Sequence, residues 1–155
     1  MIILNNQIMD FDVEQLFKAV GNETNELMMS NSFDQIEKGK INVFIKELEL
    51  TKKDADVFMK RLKEYVFIDN VKEVKYGSYI RWISLKKPGV IKLTTGGFIC
   101  DIKANKSEDD IIIFCKNRMN MVFQLKMSET FIFQKLTVQE KTILSAVEFV
   151  KGNVI

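Results

Sequence analysis

The chain has 155 residues, 46% of them apolar and 28% charged, with 23 Lys/Arg against 21 Asp/Glu. That is the size and balance of one soluble domain, or of one domain with a small appendage, and it excludes a wholly disordered chain. His is absent and Cys occurs twice, so imidazole chemistry and a four-thiolate zinc site within one chain are both excluded.

The segment Met1–Ile8 reads as a short strand. Asp10 or Asp12 then caps a helix with Val13, Leu16, Phe17 and Val20 as its apolar face and Gly21 as its stop. Asn22–Asn31 is polar and reads as a loop or an ill-formed helix. Ile41, Val43 and Ile45 alternate with other residues, which predicts a strand. Thr51 begins the clearest helix of this half. Thr51 and Asp54 form a shortened capping box, and Ala55, Phe58, Leu62, Tyr65 and Val66 make one apolar stripe.

From Val71 the apolar period changes to two. Five strands are expected: Lys72–Leu85, Val90–Ala104, Asp109–Lys116, Met121–Met127 and Thr130–Gln134. Lys86–Gly89 reads as a turn, because Pro88 fixes φ and Gly89 permits positive φ. Asn117–Asn120 and Ser128–Glu129 read as tight hairpins. Thr94–Gly97 either splits its strand into a pair or bulges it. Short connectors require antiparallel pairing. A last helix starts at the capping box Thr137–Glu140, carries Ile143, Leu144, Val147 and Val150, and stops at Lys151 and Gly152.

The fold class is therefore α+β. An N-terminal α/β portion, residues 1–70, accompanies a C-terminal β-rich portion, residues 71–155, as two parts or as one continuous domain. The second portion is expected to be an antiparallel sheet or a small SH3-like or OB-like barrel, flanked by the terminal helix.

Chemical motifs are sparse. Gly96-Gly97 lacks the spacing of a phosphate-binding loop. Glu108, Asp109 and Asp110 lack the spacing of a calcium loop and read as a solvated turn. No GxSxG occurs, and no His is present to activate a serine or cysteine. No catalytic, cofactor-binding or metal-binding residue is assigned, and the protein is read as a non-enzyme without cofactors. Cys100 and Cys115 lie in apolar stretches and read as buried, reduced, slowly reacting thiols, although neighbouring strands would also permit a disulfide. The start, MIILNNQIMDFD, has no basic n-region and does not read as a signal peptide. An intracellular location is expected.

Charge is asymmetric. Residues 1–70 hold 9 Lys/Arg and 13 Asp/Glu, a balance of −4, whereas residues 71–155 hold 14 and 8, a balance of +6. The densest segment is Lys75–Ile83. On a strand, Ile80 and Trp82 point to the core and Tyr79 and Arg81 to the other face, with Lys75, Lys86, Lys87 and Lys92 near in sequence. These six residues form the candidate interaction surface. Tyr, Trp and Arg dominate protein–protein hot spots, and rings with cations on a β-surface also bind single-stranded nucleic acid. The expected function is a non-enzymatic protein-interaction component with a protein partner or a second copy. The alternative is a sequence-independent nucleic-acid-binding module. No membrane partner is expected.

The phrases KYGSYIRWISL, LTTGGFICDI and FIFQKLTVQEKTIL resemble small uncharacterised proteins of nucleocytoplasmic large DNA viruses, over roughly residues 72–146. The resemblance implies a viral origin; with it, the interaction component is expected to be a viral structural or assembly protein, in host cytoplasm or virion. It carries over no functional residue.

Overall fold

The computed structural model describes residues 2–4, 7–9, 13–22, 25, 28 and 31–153. Two compact units emerge, residues 1–39 with 136–155, and residues 40–135.

In the first unit, β1 (Ile2–Leu4) and β2 (Gln7–Met9) pair antiparallel. Two short strands stand where one was expected, and Met1 lies outside the described residues, as do the expected caps Asp10 and Asp12. Helix α1 (Val13–Val20) follows, with Ala19 buried and Phe17 and Val20 exposed, so its buried face is narrower than the sequence pattern. It packs on α4 (Val138–Asn153). The capping box of α4 is complete: Thr137 Oγ1 accepts from Glu140 N at 3.1 Å, and Glu140 Oε1 accepts from Thr137 N at 2.9 Å. Gln139 Oε1 accepts from the side-chain amides of Asn22 (2.9 Å) and Asn25 (3.0 Å), which ties the end of α1 to the start of α4. Ile143 and Leu144 are buried, while Val150 is exposed.

Helix α2 (Phe33–Asn42) starts at Ser32, whose Oγ accepts from Gln35 N at 3.2 Å. It continues into a π-helical turn, Val43–Glu47. The strand expected at Ile41, Val43 and Ile45 is therefore helical. The buried residues are Ile36, Lys40, Val43 and Phe44, spaced by four, three and one, while Ile41 and Ile45 are exposed. The period-two pattern passed over Phe44 and discounted a buried lysine.

Helix α3 (Lys52–Arg61) is capped as predicted, with Thr51 Oγ1 accepting from Asp54 N at 3.2 Å. It ends four residues before Tyr65. Tyr65 and Val66 belong to strand β3 (Tyr65–Ile68), not to the helical stripe.

The remaining strands are β4 (Tyr79–Ser84), β5 (Gly97–Asn105), β6 (Asp110–Lys116), β7 (Val122–Lys126) and β8 (Thr130–Lys135). With β3 they form one antiparallel sheet in the order β3-β8-β4-β5-β6-β7. Two expected strands are shorter than predicted. Residues 71–78 form a 3₁₀ turn and a loop before β4. Thr94–Gly96 splits the Val90–Ala104 segment, leaving Leu93 in an isolated bridge to Ile83.

Ser128 and Glu129 are not a hairpin. Met127–Glu129 is one 3₁₀ turn, and β7 and β8 lie four strand positions apart. A flat sheet would separate them by about 19 Å. A three-residue 3₁₀ connector advances only about 8 Å. The sheet must therefore curl. Trp82 of β4 and Phe123 of β7 confirm it, with ring centroids 5.8 Å apart although two strands lie between them. A meander β4–β7, a 3₁₀ turn and a return beside β4 follow the strand order of an SH3-like barrel. Among the described residues, no pairing closes β7 on β8 or β3.

Register sorts the two faces. Ile80 lies opposite Gln134 and Trp82 opposite Ile132 on the concave face; Arg81 opposite Phe133 and Ile83 opposite Phe131 on the convex face. The concave core adds Ile113, Cys115 and Leu125. Over β3, β8 and β4 the convex face is also covered. Val43, Phe44, Ala55 and Leu62 pack there on Tyr65, Ile83, Leu93 and Phe133, with Phe44 stacked on both Phe58 (5.5 Å) and Phe133 (5.6 Å). Over β5, β6 and β7 the convex face carries the exposed Phe98, Lys116 and Val122.

Candidate functional site

Tyr79 and Arg81 lie on the covered part of the convex face. Tyr79 is packed against the aromatic cluster, and its hydroxyl donates to the Thr95 carbonyl. Arg81 Nε donates to Thr94 O at 2.8 Å, and Nη1 reaches Arg61 O at 3.5 Å. Their polar groups bond to backbone carbonyls, so these two side chains are stitches rather than an open stacking platform. Nearby, burial pushes the Tyr65 phenol up, with the Arg81 guanidinium acting in the opposite direction.

What they stitch is the segment between β4 and β5. Its return leg lies along β4, with Thr94 N donating to Trp82 O at 3.0 Å and Trp82 N donating to Thr94 Oγ1 at 3.1 Å. Gly96 permits this approach. Its φ is +103°, and a Cβ there would stand 2.4 Å from Ile80 O and 2.8 Å from the Tyr79 ring.

Held at both ends, residues 85–92 project as a loop. It contains Lys86, Lys87 and Lys92 and no acid, and all three lysines are exposed. Lys86 makes a 3.7 Å contact with Glu129, exposed enough to be strongly screened. Leu85, Val90 and Ile91 are exposed as well. Between this loop and α3 lies a cleft of about 420 Å³, lined by Leu50, Asp54, Val57, Phe58, Gly89 and Ile91. That is the size of a small-ligand or side-chain pocket. On α3, Lys53 precedes Val57 by one turn and Lys60 and Arg61 follow it by one turn, so cations flank the cleft on the helix side too.

Of the six expected residues, Lys86, Lys87 and Lys92 fall on this loop, and Tyr79 and Arg81 anchor it. Lys75 lies apart, with its backbone N–H donating to Gln134 Oε1 at 3.0 Å. Sequence reasoning missed Leu50, Val57, Phe58 and Ile91. Val57 and Ile91 each sit one residue off a recognised pattern, and only tertiary folding brings them together.

Other chemistry-bearing groups are engaged in structure. Asp110 accepts from Ser128 Oγ at 2.5 Å, Ile111 N at 2.8 Å and Ser128 N at 3.3 Å; these bonds, the Ser128 hydroxyl foremost, hold its carboxyl below the usual range. Glu108 pairs with Lys126 at 2.7 Å. Among the described residues, no group of three or more His, Cys, Asp or Glu is arranged to hold a metal ion. Nor is any helix there long and apolar enough to cross a membrane.

The thiols differ, contrary to the expectation that both are buried. Cys115 is buried on the concave face, while Cys100 is exposed where the β5–β6 register shifts between Ile99 and Asp101. Both are free. Burial pushes the Cys115 thiol up to about 11, with proximity to Cys100 adding to it. Native labelling with an alkylating reagent near pH 8 is thus expected to modify Cys100 and to spare Cys115 until the chain unfolds, as read by peptide mass spectrometry. Equal native labelling of both would contradict the concave placement of Cys115.

Comparison with family models, with curated proteins and with solved structures finds no match for this chain.

Proposed function

We propose that the protein is a non-enzymatic interaction module that captures a short segment of a partner protein in the cleft between α3 and the 85–92 loop. The observation that carries this reading is a cleft whose wall is apolar apart from Asp54 and Gly89, bordered by the lysines of the loop and of α3. Leu50, Val57, Phe58 and Ile91 suit one aliphatic or aromatic side chain. Lys53, Lys87 and Lys92 suit carboxylates on either side of it. The partner chemistry is an extended peptide with one apolar anchor among Asp and Glu residues. A role in viral structure or assembly, taken together with the viral origin that the resemblance over residues 72–146 implies, is the wider setting of this proposal.

Fluorescence anisotropy tests it with a labelled peptide carrying one Phe among four acids. Micromolar binding is expected, lost when Phe becomes Ser or when the acids become Lys. Replacing Lys86, Lys87 and Lys92 together by Ala should weaken binding about tenfold, from three rim charges at ~0.5 kcal/mol each. Val57→Asp should abolish it. Absence of peptide binding together with salt-sensitive binding of a single-stranded oligonucleotide would overturn the reading in favour of nucleic acid.

A further inference from the structure

Strand β7 ends the sheet, and among the described residues it pairs only with β6. An unpaired edge offers a row of backbone donors and acceptors to another strand. Apolar side chains crowd one end of this edge. Met119 is 79% exposed, Met121 53% and Val122 54%. Phe98, Lys116 and Val122 are register partners in one row across β5, β6 and β7, and Phe98 is 53% exposed.

The charges along the same edge are sorted by sign. At the N-terminal end of β7 stand Lys116 and Arg118, and residues 111–125 contain no acid. At the C-terminal end stand Glu108, Asp109, Asp110 and Glu129, tied to the edge through the Lys126–Glu108 pair and the Asp110–Ser128 bonds. These four carboxylates outnumber the three cations beside them, Lys86, Lys106 and Lys126.

An edge that is basic at one end and acidic at the other is complementary to itself when reversed. We infer that β7 pairs antiparallel with β7 of a second copy of this chain, about a two-fold axis at Gln124, the middle residue of the strand. The basic end of each copy then meets the acidic end of the other, and Met119 and Met121 are covered. This is an isologous contact, in which both copies use the same surface. It joins two six-stranded sheets and is independent of the cleft between α3 and the loop.

Sedimentation equilibrium of the full chain tests the inference. In about 50 mM salt a species of twice the 18.0 kDa chain mass is expected, weakening in about 500 mM salt as the end charges are screened. The double variant K116E/R118E makes both ends acidic. The double variant E108K/D109N makes both ends basic, and it keeps a residue tolerant of positive φ at position 109. Each variant alone should dimerise about tenfold or more weakly, because like charges face each other. An equimolar mixture should recover the dimer as a heterodimer, a rescue that an unfolded variant could not give. A wild-type chain that stays monomeric to roughly 200 µM would overturn the inference. So would a dimer whose affinity ignores both variants.

Discussion

Trp82→Ala is expected to destabilise the chain by about 3–5 kcal/mol. That is a large part of the ~5–15 kcal/mol that stabilises an ordinary domain. Trp82 is 6% exposed on the concave face, lies opposite Ile132 and meets Phe123 of the far strand at 5.8 Å. Its removal takes away the ring that spans the curl, and the surrounding strands are held too firmly by hydrogen bonds to collapse into the gap. Urea unfolding followed by circular dichroism measures the loss. As the single Trp of the chain, Trp82 also reports on wild-type unfolding through a red shift of its emission. Phe98→Ala serves as the contrast. Phe98 is half exposed on the convex face, and its loss should stay within about 0.5 kcal/mol. Equal effects at the two positions would mean that the sheet does not curl around Trp82.

The contrast between these two aromatic residues shows what a sequence can and cannot convey. Alternation in Tyr79–Ser84 identified Ile80 and Trp82 as core residues, and they are. The same alternation placed Tyr79 and Arg81 outward, and they do point to the other face. What alternation cannot convey is that this other face has its own cover. Helical residues Val43, Phe44, Ala55 and Leu62 lie over it, and they are distant in the chain. Local signals with a mechanism were legible: the Thr51 and Thr137 caps, the Gly89 turn, the turn at Asn117–Asn120 with Asn120 N donating to Asn117 O at 3.1 Å. Ambiguous spacings were not. Leu62, Tyr65 and Val66 fit a helical stripe after Phe58 as well as they fit a cap followed by a strand. The pairing of β8 with both β3 and β4 decides the matter, and that pairing is non-local. The cleft shares this limit. Its two walls come from residues 50–58 and 89–91, and they meet because Gly96 lets the loop's return leg press against β4.

A buried lysine is the least legible feature of all, since charged residues read as surface. Lys40 is fully buried in the last turn of α2, and its Nζ donates to Leu62 O at 2.8 Å. Leu62 is the C-cap of α3, where a helix ends in carbonyls that favour a cation. The same oxygen also accepts from Tyr65 N at 3.0 Å. Removing the ammonium therefore does not orphan the carbonyl, and it relieves the cost of holding a charged group out of water. Lys40→Met, which keeps a long apolar stem and removes only the polar end, should cost less than Lys40→Ala. Lys40→Ala removes three methylenes from a packed interior as well. At ~0.8 kcal/mol each they add about 2.4 kcal/mol, part of which returns as side-chain entropy no longer lost on folding. A loss of about 2–4 kcal/mol is expected for Ala, measured as a shift of the urea midpoint at constant slope. The ordering carries the argument. If Met costs as much as Ala, the polar interactions of the ammonium rather than the stem account for the stability that Lys40 supplies. If neither variant moves the midpoint, Lys40 is not buried in the folded protein.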